Sequence, residues 1–174
     1  MKTTLLIDIN DTLDDGSDFQ YREKQHLLDL ETWAPTWVMW PRKWIEDFSA
    51  FLIEYKAKLL PIFWSSVWLY GQDFVAREWL KTEIIWFDGK TFHTFKTNDI
   101  LHPSATGIMV PKGYYMNILM DYIRWKSEHI IWFEDWLNLE DQCFVDGNGH
   151  VDHVWVNQVD TLTEKIPEII KLIK

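Results

Sequence analysis

The chain of 174 residues has little cysteine, few basic residues and no long apolar run. It holds one cysteine, Cys143, so no disulfide can form within it, and this usage is typical of a reducing cytoplasm. Cys143 itself is expected to be a small buried residue. No run approaches the roughly 20 apolar residues of a membrane span. The apolar run within the first ten residues is also too short for a signal peptide.

Positive charge is scarce as well. The chain has 17 lysine and arginine residues against 27 aspartate and glutamate residues, which gives a net charge of −10. That balance argues against binding to nucleic-acid backbones and to anionic membrane surfaces, because both require clustered basic residues. The sequence therefore predicts a cytoplasmic protein without nucleic-acid or membrane partners. A local positive pocket for a small phosphorylated ligand is still compatible with this composition.

Apolar and aromatic residues are abundant. Hydrophobic residues make up 47% of the chain, and 12 residues are tryptophan. At this length the composition predicts one folded domain, residues 1–174, with a sizeable core. Tryptophan brings a large apolar area and one N–H group that needs a partner. We expect most of the tryptophans in the core, and the alternative is an aromatic pocket or a partner surface.

Predicted strands alternate with predicted helices along the chain. Apolar runs predict strands at 3–9, 59–64, 83–87 and 129–133, and helical spacing predicts helices at 44–58, 71–82, 111–128 and 163–174. Residues 88–111 read as a long loop. The turn sequence DGNG at 146–149 suggests a hairpin between QCFV and HVDHVWV. This alternation predicts an α/β fold with a mainly parallel sheet and ligands at the carboxyl ends of its strands.

Polar residues follow the predicted strands at the points where they end. They are Asp8, Asn10, Asp11 and Thr12 after the first strand, Ser65 and Ser66 after the second, Glu134 and Asp135 after the strand at 129–133, and Lys112 at a helix start. Converging carboxylates repel one another unless a cation neutralises them, and oxygen ligands favour Mg2+. A lysine and a hydroxyl beside that ion would make a cradle for phosphate.

Four short motifs in this order resemble those of the haloacid dehalogenase superfamily. They are DINDTL, FWSSVW, PKG and IIWFED, and together they span essentially the whole chain. The Trp-rich second motif and the acidic pair further resemble small, nearly capless members from bacteria and their phages. The resemblance implies a Rossmann-like three-layer α/β/α domain with a minimal cap, for which residues 14–43 are the candidate insertion.

The resemblance also implies a role for each site residue. Asp8 would be the nucleophile that forms an aspartyl-phosphate. Mg2+ would lie between Asp8, the backbone carbonyl of Asn10, and Asp135 or Glu134. The phosphoryl oxygens would be held by Ser66, with Ser65 as the fallback, and by Lys112, while Thr12 would support the loop. Plainer interpretations stay open for several of them: a solvated lysine at a helix start, and acids that cap a helix.

Asn10 departs from the family pattern. Phosphatases of this superfamily carry there a second aspartate, which protonates the leaving group and then activates water. Asparagine has no transferable proton at neutral pH, and loss of a general acid or base typically costs about 10²–10⁴-fold in rate. The expected function is therefore a Mg2+-dependent phosphohydrolase, slowed by Asn10, that acts on a small phosphorylated metabolite such as a nucleotide. The alternative is an impaired member that binds a phosphorylated ligand or a protein partner.

The segment TWAPTWVMWPRKW carries four tryptophans where this superfamily inserts its cap. They are Trp33, Trp37, Trp40 and Trp44. Aromatic rings at this place could stack on a nucleobase. The plainer interpretation is that they pack the loop onto the body of the domain, and we favour it because tryptophan is so often a core residue.

Overall fold

The computed structural model describes residues 1–9, 12–14, 41–67, 69–95, 111–156 and 162–173. Its strands are β1 (Lys2–Ile7), β2 (Leu59–Phe63), β3 (Ile85–Phe87), β4 (Phe92–Thr94), β5 (Ser127–Glu134) and β6 (Val151–Trp155). Its helices are α1 (Ile45–Glu54), α2 (Leu69–Phe74), α3 (Met116–Ile123), α4 (Leu139–Asp146) and α5 (Leu162–Leu172). A π-helical segment, Val75–Leu80, continues α2, and a 3-10 turn, Lys112–Tyr115, leads into α3.

The strands form one six-stranded sheet in the order β4-β3-β2-β1-β5-β6. Every neighbouring pair is parallel except β3 and β4, which are antiparallel. The predicted α/β fold with a mainly parallel sheet is therefore confirmed. The chain runs outward from the central β1 through β2, β3 and β4, then crosses to the other side of β1 for β5 and β6.

Helices cover both faces of the sheet. Leu5 and Ile7 of β1 belong to a buried cluster with Phe48 of α1, while Leu6 belongs to a second cluster with Leu119 of α3. Successive side chains of a strand point to opposite faces, so the second half of β1, Leu5 to Ile7, has to be apolar at every position. Each fully buried aliphatic or aromatic side chain contributes about 1.5–3 kcal/mol to folding, which fixes β1 at the centre of the domain.

The predicted hairpin around DGNG is wrong. Residues 142–145 lie in α4, and β6 pairs in parallel with β5. The reason is local: the Asn138 side chain accepts a hydrogen bond from Asp141 N–H and caps α4, and Gly147 N–H donates to the Cys143 carbonyl at its end. The turn thus joins a helix to a strand. Cys143 is exposed on this helix, which also corrects its expected burial.

The predicted loop at 88–111 begins with a strand. Phe92–Thr94 forms β4, and residues 96–110 lie outside the described part of the chain. Asp88 Oδ1 accepts hydrogen bonds from the Lys90 and Thr91 N–H groups, which tightens the turn between β3 and β4. The Phe92 ring then stacks on Trp64, so the strand is held by packing that has no periodic signal over three residues.

Five of the eight tryptophans in the described residues are buried: Trp44, Trp64, Trp79, Trp86 and Trp132. Trp125, Trp136 and Trp155 are exposed. Trp44 packs edge-on against Phe48 and Phe133, so core packing is confirmed for this member of the Trp-rich segment. Trp33, Trp37 and Trp40 lie outside the described residues. Within the described ranges, no helix has the length and apolar character needed to cross a bilayer.

Candidate active site

Asp8 is the first residue after β1, and it is buried with only 2% of its surface exposed. Its N–H donates to the Phe133 carbonyl on β5 over 3.1 Å, which joins the carboxyl ends of β1 and β5. On the other side, Trp64 N–H donates to the Ile7 carbonyl over 2.9 Å. A carboxylate at this depth would be costly without a partner, so its neighbours decide its chemistry.

The chain continues to opposite sides of the sheet after the two strands that meet at Asp8: β1 is followed by β2, and β5 is followed by β6. After β1 the chain turns toward β2, and β5 follows only after the crossover to the opposite side of β1. In open α/β sheets, such a reversal of strand order opens a crevice at the carboxyl edge, and ligands bind there. Asp8 directly follows β1, Glu134 ends β5 and Asp135 follows it, so all three residues lie at this reversal of strand order.

Lys112 lies between two of these carboxylates. Its ammonium is 2.6 Å from Asp8 Oδ1 and 2.8 and 2.7 Å from the two Glu134 oxygens. Lys112 is 5% exposed and Glu134 is 4% exposed. Trp132 Nε1 adds a hydrogen bond of 3.0 Å to Glu134 Oε2. The lysine is therefore a buried, fully engaged cation, and its interpretation as a solvated residue at a helix start is wrong.

The pKa values in this cluster are shifted by burial and by the charges of its members. Burial opposes the charge of Lys112, but the carboxylates of Asp8 and Glu134 outweigh that cost and raise the pKa of the ammonium. Burial, together with the negative charge of Asp8, raises the pKa of Glu134 well above its ordinary value, although Lys112 and Trp132 oppose this shift.

Thr12 connects Asp8 to the second acid of the pair. Its hydroxyl lies 3.4 Å from Asp8 Oδ2 and 3.3 Å from Asp135 Oδ1, and it accepts a hydrogen bond of 3.1 Å from Asp135 N–H. Arg42 Nε in turn donates to the Thr12 carbonyl over 2.8 Å. The predicted supporting role of Thr12 thus has a physical basis, because one hydroxyl fixes the relative position of two carboxylates.

Three carboxylates fit a hard cation at this point. One oxygen each from Asp8, Glu134 and Asp135 lie within 4.8 Å of one another. Carboxylate oxygens are typical ligands of hard divalent cations, so these three side chains could hold a metal ion. Glu134 gives both oxygens to Lys112, whereas Asp135 contacts the site through Thr12. The geometry therefore favours Asp8 and Asp135 as ligands and leaves Glu134 chiefly as the partner of Lys112.

The two candidate serines stand on the neighbouring strand end, but neither makes a hydrogen bond to Asp8 or Lys112 within the described residues. Ser65 is buried, and its hydroxyl accepts a hydrogen bond of 3.3 Å from Val67 N–H. Ser66 is half-buried. Ser65 therefore stabilises its own turn, which leaves Ser66 as the serine able to meet a ligand.

Gln72 stabilises the same turn, although no sequence motif identifies it. Its side-chain amide nitrogen, fully buried in α2, lies 3.4 Å from the Ser65 carbonyl and 2.7 Å from the Val67 carbonyl. A buried amide that donates twice to one turn holds the backbone on both sides of Ser66. The only signal in the sequence is a glutamine in a short helix, at a position where an apolar residue would be expected.

Two side chains of β6 hold the turn that carries the acidic pair. His153 Nε2 lies 3.1 Å from the Glu134 carbonyl, and Trp155 Nε1 donates to the Asp135 carbonyl over 2.6 Å. Burial lowers the pKa of His153, against the opposing effect of its bond to that carbonyl. His153 is thus neutral near pH 7, with its proton on the nitrogen that faces the carbonyl. The sequence could not reveal this because residues 150–156 were expected in a hairpin.

Asn10 and most of the expected insertion lie outside the described residues. The ends of the insertion are described: Asp14 and Pro41 form an antiparallel bridge, and Arg42 N–H donates to the Leu13 carbonyl over 3.1 Å. The two described ends of the candidate insertion therefore lie next to each other, beside Thr12. Comparison with models of known protein families, with curated proteins and with solved structures finds no match.

Proposed function

We propose that the chain is a Mg2+-dependent phosphohydrolase of the haloacid dehalogenase type, which acts on a small phosphorylated metabolite through an aspartyl-phosphate at Asp8. The observation that carries this proposal is the buried ammonium of Lys112, which contacts both Asp8 and Glu134 at the carboxyl ends of β1 and β5. Buried ion networks of this kind are weak stabilisers, so their presence at a ligand-binding edge favours a chemical role.

In the first step, Asp8 attacks the phosphorus atom. A bond forms between a carboxylate oxygen and phosphorus while the bond to the leaving group breaks, and in the second step water releases inorganic phosphate and restores the carboxylate. Thr12 holds Oδ2, and Lys112 faces Oδ1. Lys112 would exchange one of its hydrogen bonds for a phosphoryl oxygen, assisted by the Ser66 hydroxyl. Glu134 keeps the lysine charged and oriented during that exchange.

The metal ion belongs beside these groups. Asp8 and Asp135 would hold Mg2+ together with the main-chain carbonyl of Asn10, and the ion would supply positive charge next to the phosphoryl group. The support for this fit is the set of carboxylate oxygens of Asp8, Glu134 and Asp135 that converge within 4.8 Å of one another. Lys112 supplies a single charge to three acids.

Asn10 limits the range of substrates. A poor leaving group needs a proton as it departs, and an asparagine side chain has none to give. The carboxylate and phosphate groups that leave from acyl phosphates and phosphoric anhydrides depart without that proton. We therefore propose that the enzyme is faster on such substrates than on alkyl phosphate esters, and that hydrolysis of the aspartyl-phosphate limits turnover.

The test is phosphate release with Mg2+ from acyl phosphates, anhydrides and phosphate esters by the wild type, Asp8→Asn and Asn10→Asp. The proposal expects release by the wild type, none by Asp8→Asn, and release by Asn10→Asp that is about 10²-fold or more faster on esters. An inactive wild type beside an active Asn10→Asp would mean that the chain is a binding protein on an enzyme scaffold. Silence of all three on every substrate would overturn the site assignment.

A second candidate is a non-catalytic protein that binds a phosphorylated ligand or a protein partner. Three exposed tryptophans favour it: Trp125, Trp136 and Trp155 are 82%, 63% and 53% exposed. Large exposed aromatic residues are enriched at binding surfaces. Trp136 and Trp155 both adjoin Asp135, one by sequence and one by its hydrogen bond, so this surface borders the same crevice.

A further inference from the structure

Asp141 on α4 makes a contact that its own helix does not require. Its N–H is already satisfied by the Asn138 side chain, which caps α4. Its carboxylate, on a residue that is only 3% exposed, turns to the neighbouring element and accepts a hydrogen bond from Gly113 N–H. Gly113 directly follows Lys112 in the 3-10 turn. One acidic side chain thus ties α4 to the backbone that carries the buried lysine.

We propose that Asp141 is a positioning residue for Lys112, a role that rests on the proposed phosphohydrolase function. The turn from Lys112 to Tyr115 is only four residues long, and the first N–H groups of any helix have no partner within it. Pro111, which precedes the turn, makes no side-chain cap. A carboxylate from α4 takes that place, and charge-assisted hydrogen bonds to backbone N–H groups are stronger than neutral ones.

Burial raises the pKa of Asp141, while hydrogen bonds from the backbone of Gly113 and Lys112 oppose the shift. The charged carboxylate is thus the form that both N–H groups of the turn stabilise. A lysine side chain has four rotatable methylene groups and is fixed only if its backbone is fixed. Anchoring residues 112 and 113 therefore limits where the ammonium can lie relative to Asp8.

Gly113 shows how close this contact is. A Cβ atom at this position would lie 2.7 Å from Asp141 Oδ1, closer than side-chain carbons approach oxygen in real structures. Glycine is thus needed here for the approach of the carboxylate. Gly113→Ala should displace the Asp141 side chain, and its effect should largely disappear once Asp141 is replaced by alanine. Two substitutions that act through one contact are non-additive in this way.

The experiment is a cycle of Gly113→Ala, Asp141→Ala and the double variant, with Glu140→Ala as the matched control. Glu140 is an exposed acid in the same first turn of α4, so its removal changes the charge but not the contact. With rates normalised to folded protein, we expect kcat for acyl phosphate hydrolysis to fall about 10–100-fold in both single variants, with KM changed far less. The double variant should be no slower than Asp141→Ala, and the control should match the wild type.

A second readout does not need activity. The second measurement is the rate at which an amine-reactive ester acylates Lys112, read by peptide mass spectrometry. Lys112 should resist acylation in the wild type and in Glu140→Ala. It should react at least about tenfold faster in Asp141→Ala and in Gly113→Ala, because local opening exposes the amine. Asp141→Asn, which retains the shape and one acceptor oxygen, carries the test if Asp141→Ala does not fold, and it should show a smaller increase.

The outcomes separate the two proposals. An inactive wild type whose Lys112 becomes reactive in Asp141→Ala would overturn the phosphohydrolase but keep the positioning contact. An active wild type whose Lys112 reactivity and kcat are unchanged in both single variants would overturn the positioning role alone. Additive losses in the double variant would also contradict it, because two substitutions that break the same contact cannot add.

Discussion

The ammonium of Lys112 lies 2.6 Å from Asp8 Oδ1, although the two residues are 104 positions apart in the chain and both are buried. The same ammonium contacts both oxygens of Glu134. Removal of water from an ion network costs about as much as the attraction returns, so these residues contribute little net stability as a group. Removing one member is different, because it leaves the others buried and unpaired.

Lys112→Met should therefore cost about 3–5 kcal/mol of the free energy of unfolding near neutral pH, measured by urea denaturation. The loss should shrink as the pH falls, because Glu134, whose pKa is already raised, takes up a proton and loses its charge. Addition of Glu134→Gln should recover part of the stability at neutral pH. Activity should not return in the double variant.

Lys90→Ala is the control, since Lys90 is exposed on the turn between β3 and β4. It should change the free energy of unfolding by less than about 0.5 kcal/mol. A Lys112→Met variant as stable as this control would show that the buried network does not exist in solution.

Substitutions of the two acids, Glu134 and Asp135, should differ in how they change the dependence of activity on Mg2+. Asp135→Asn should raise the Mg2+ concentration for half-maximal activity at least about tenfold, because it removes a ligand oxygen. Glu134→Gln should leave that concentration within about threefold and lower kcat instead, because it weakens the hold on Lys112. Titration of phosphate release against Mg2+ measures both. A larger Mg2+ shift for Glu134→Gln would reverse the assignment of the ligands.

Stability between about pH 7 and pH 5 should depend on His153. Its folded pKa is lowered from the ordinary 6.5, so the unfolded chain binds the proton more readily and stability falls as the pH drops through that value. His153→Gln retains an N–H donor for the Glu134 carbonyl but cannot titrate, so its Tm should fall less over this range. His150→Gln, an exposed histidine on the preceding turn, should behave like the wild type. Parallel curves for all three proteins would contradict the burial of His153.

The sequence was sufficient for the parts of the site that lie on strand ends. Asp8, Glu134 and Asp135 each end an apolar run, and parallel strands bring such ends to one edge of a sheet. Lys112 was identified by its place at a helix start, but its partners depend on the crossover between β4 and β5. The α/β class followed in the same way from the alternation of strands and helices.

The remaining contacts are long-range and leave no periodic trace. Gln72, Asp141 and Trp155 act on backbone groups of other elements, so each is an ordinary polar or aromatic residue until the chain is folded. The DGNG turn was also ambiguous, because the same residues end a helix or join two strands. The Asn138 cap and the pairing of β6 with β5 decide that the turn ends a helix. The strand pairing depends on the whole sheet.

The most direct test of the central claim is a rapid-quench measurement with acetyl phosphate and Mg2+, followed by mass spectrometry of the peptide that contains Asp8. We expect a burst of about one acetate per chain, a phosphoryl group on Asp8, slow turnover afterwards, and loss of the burst in Asp8→Asn. The burst should give way to fast steady turnover in Asn10→Asp. Acetate release without a phosphoryl group on Asp8, or a burst that survives in Asp8→Asn, would contradict it.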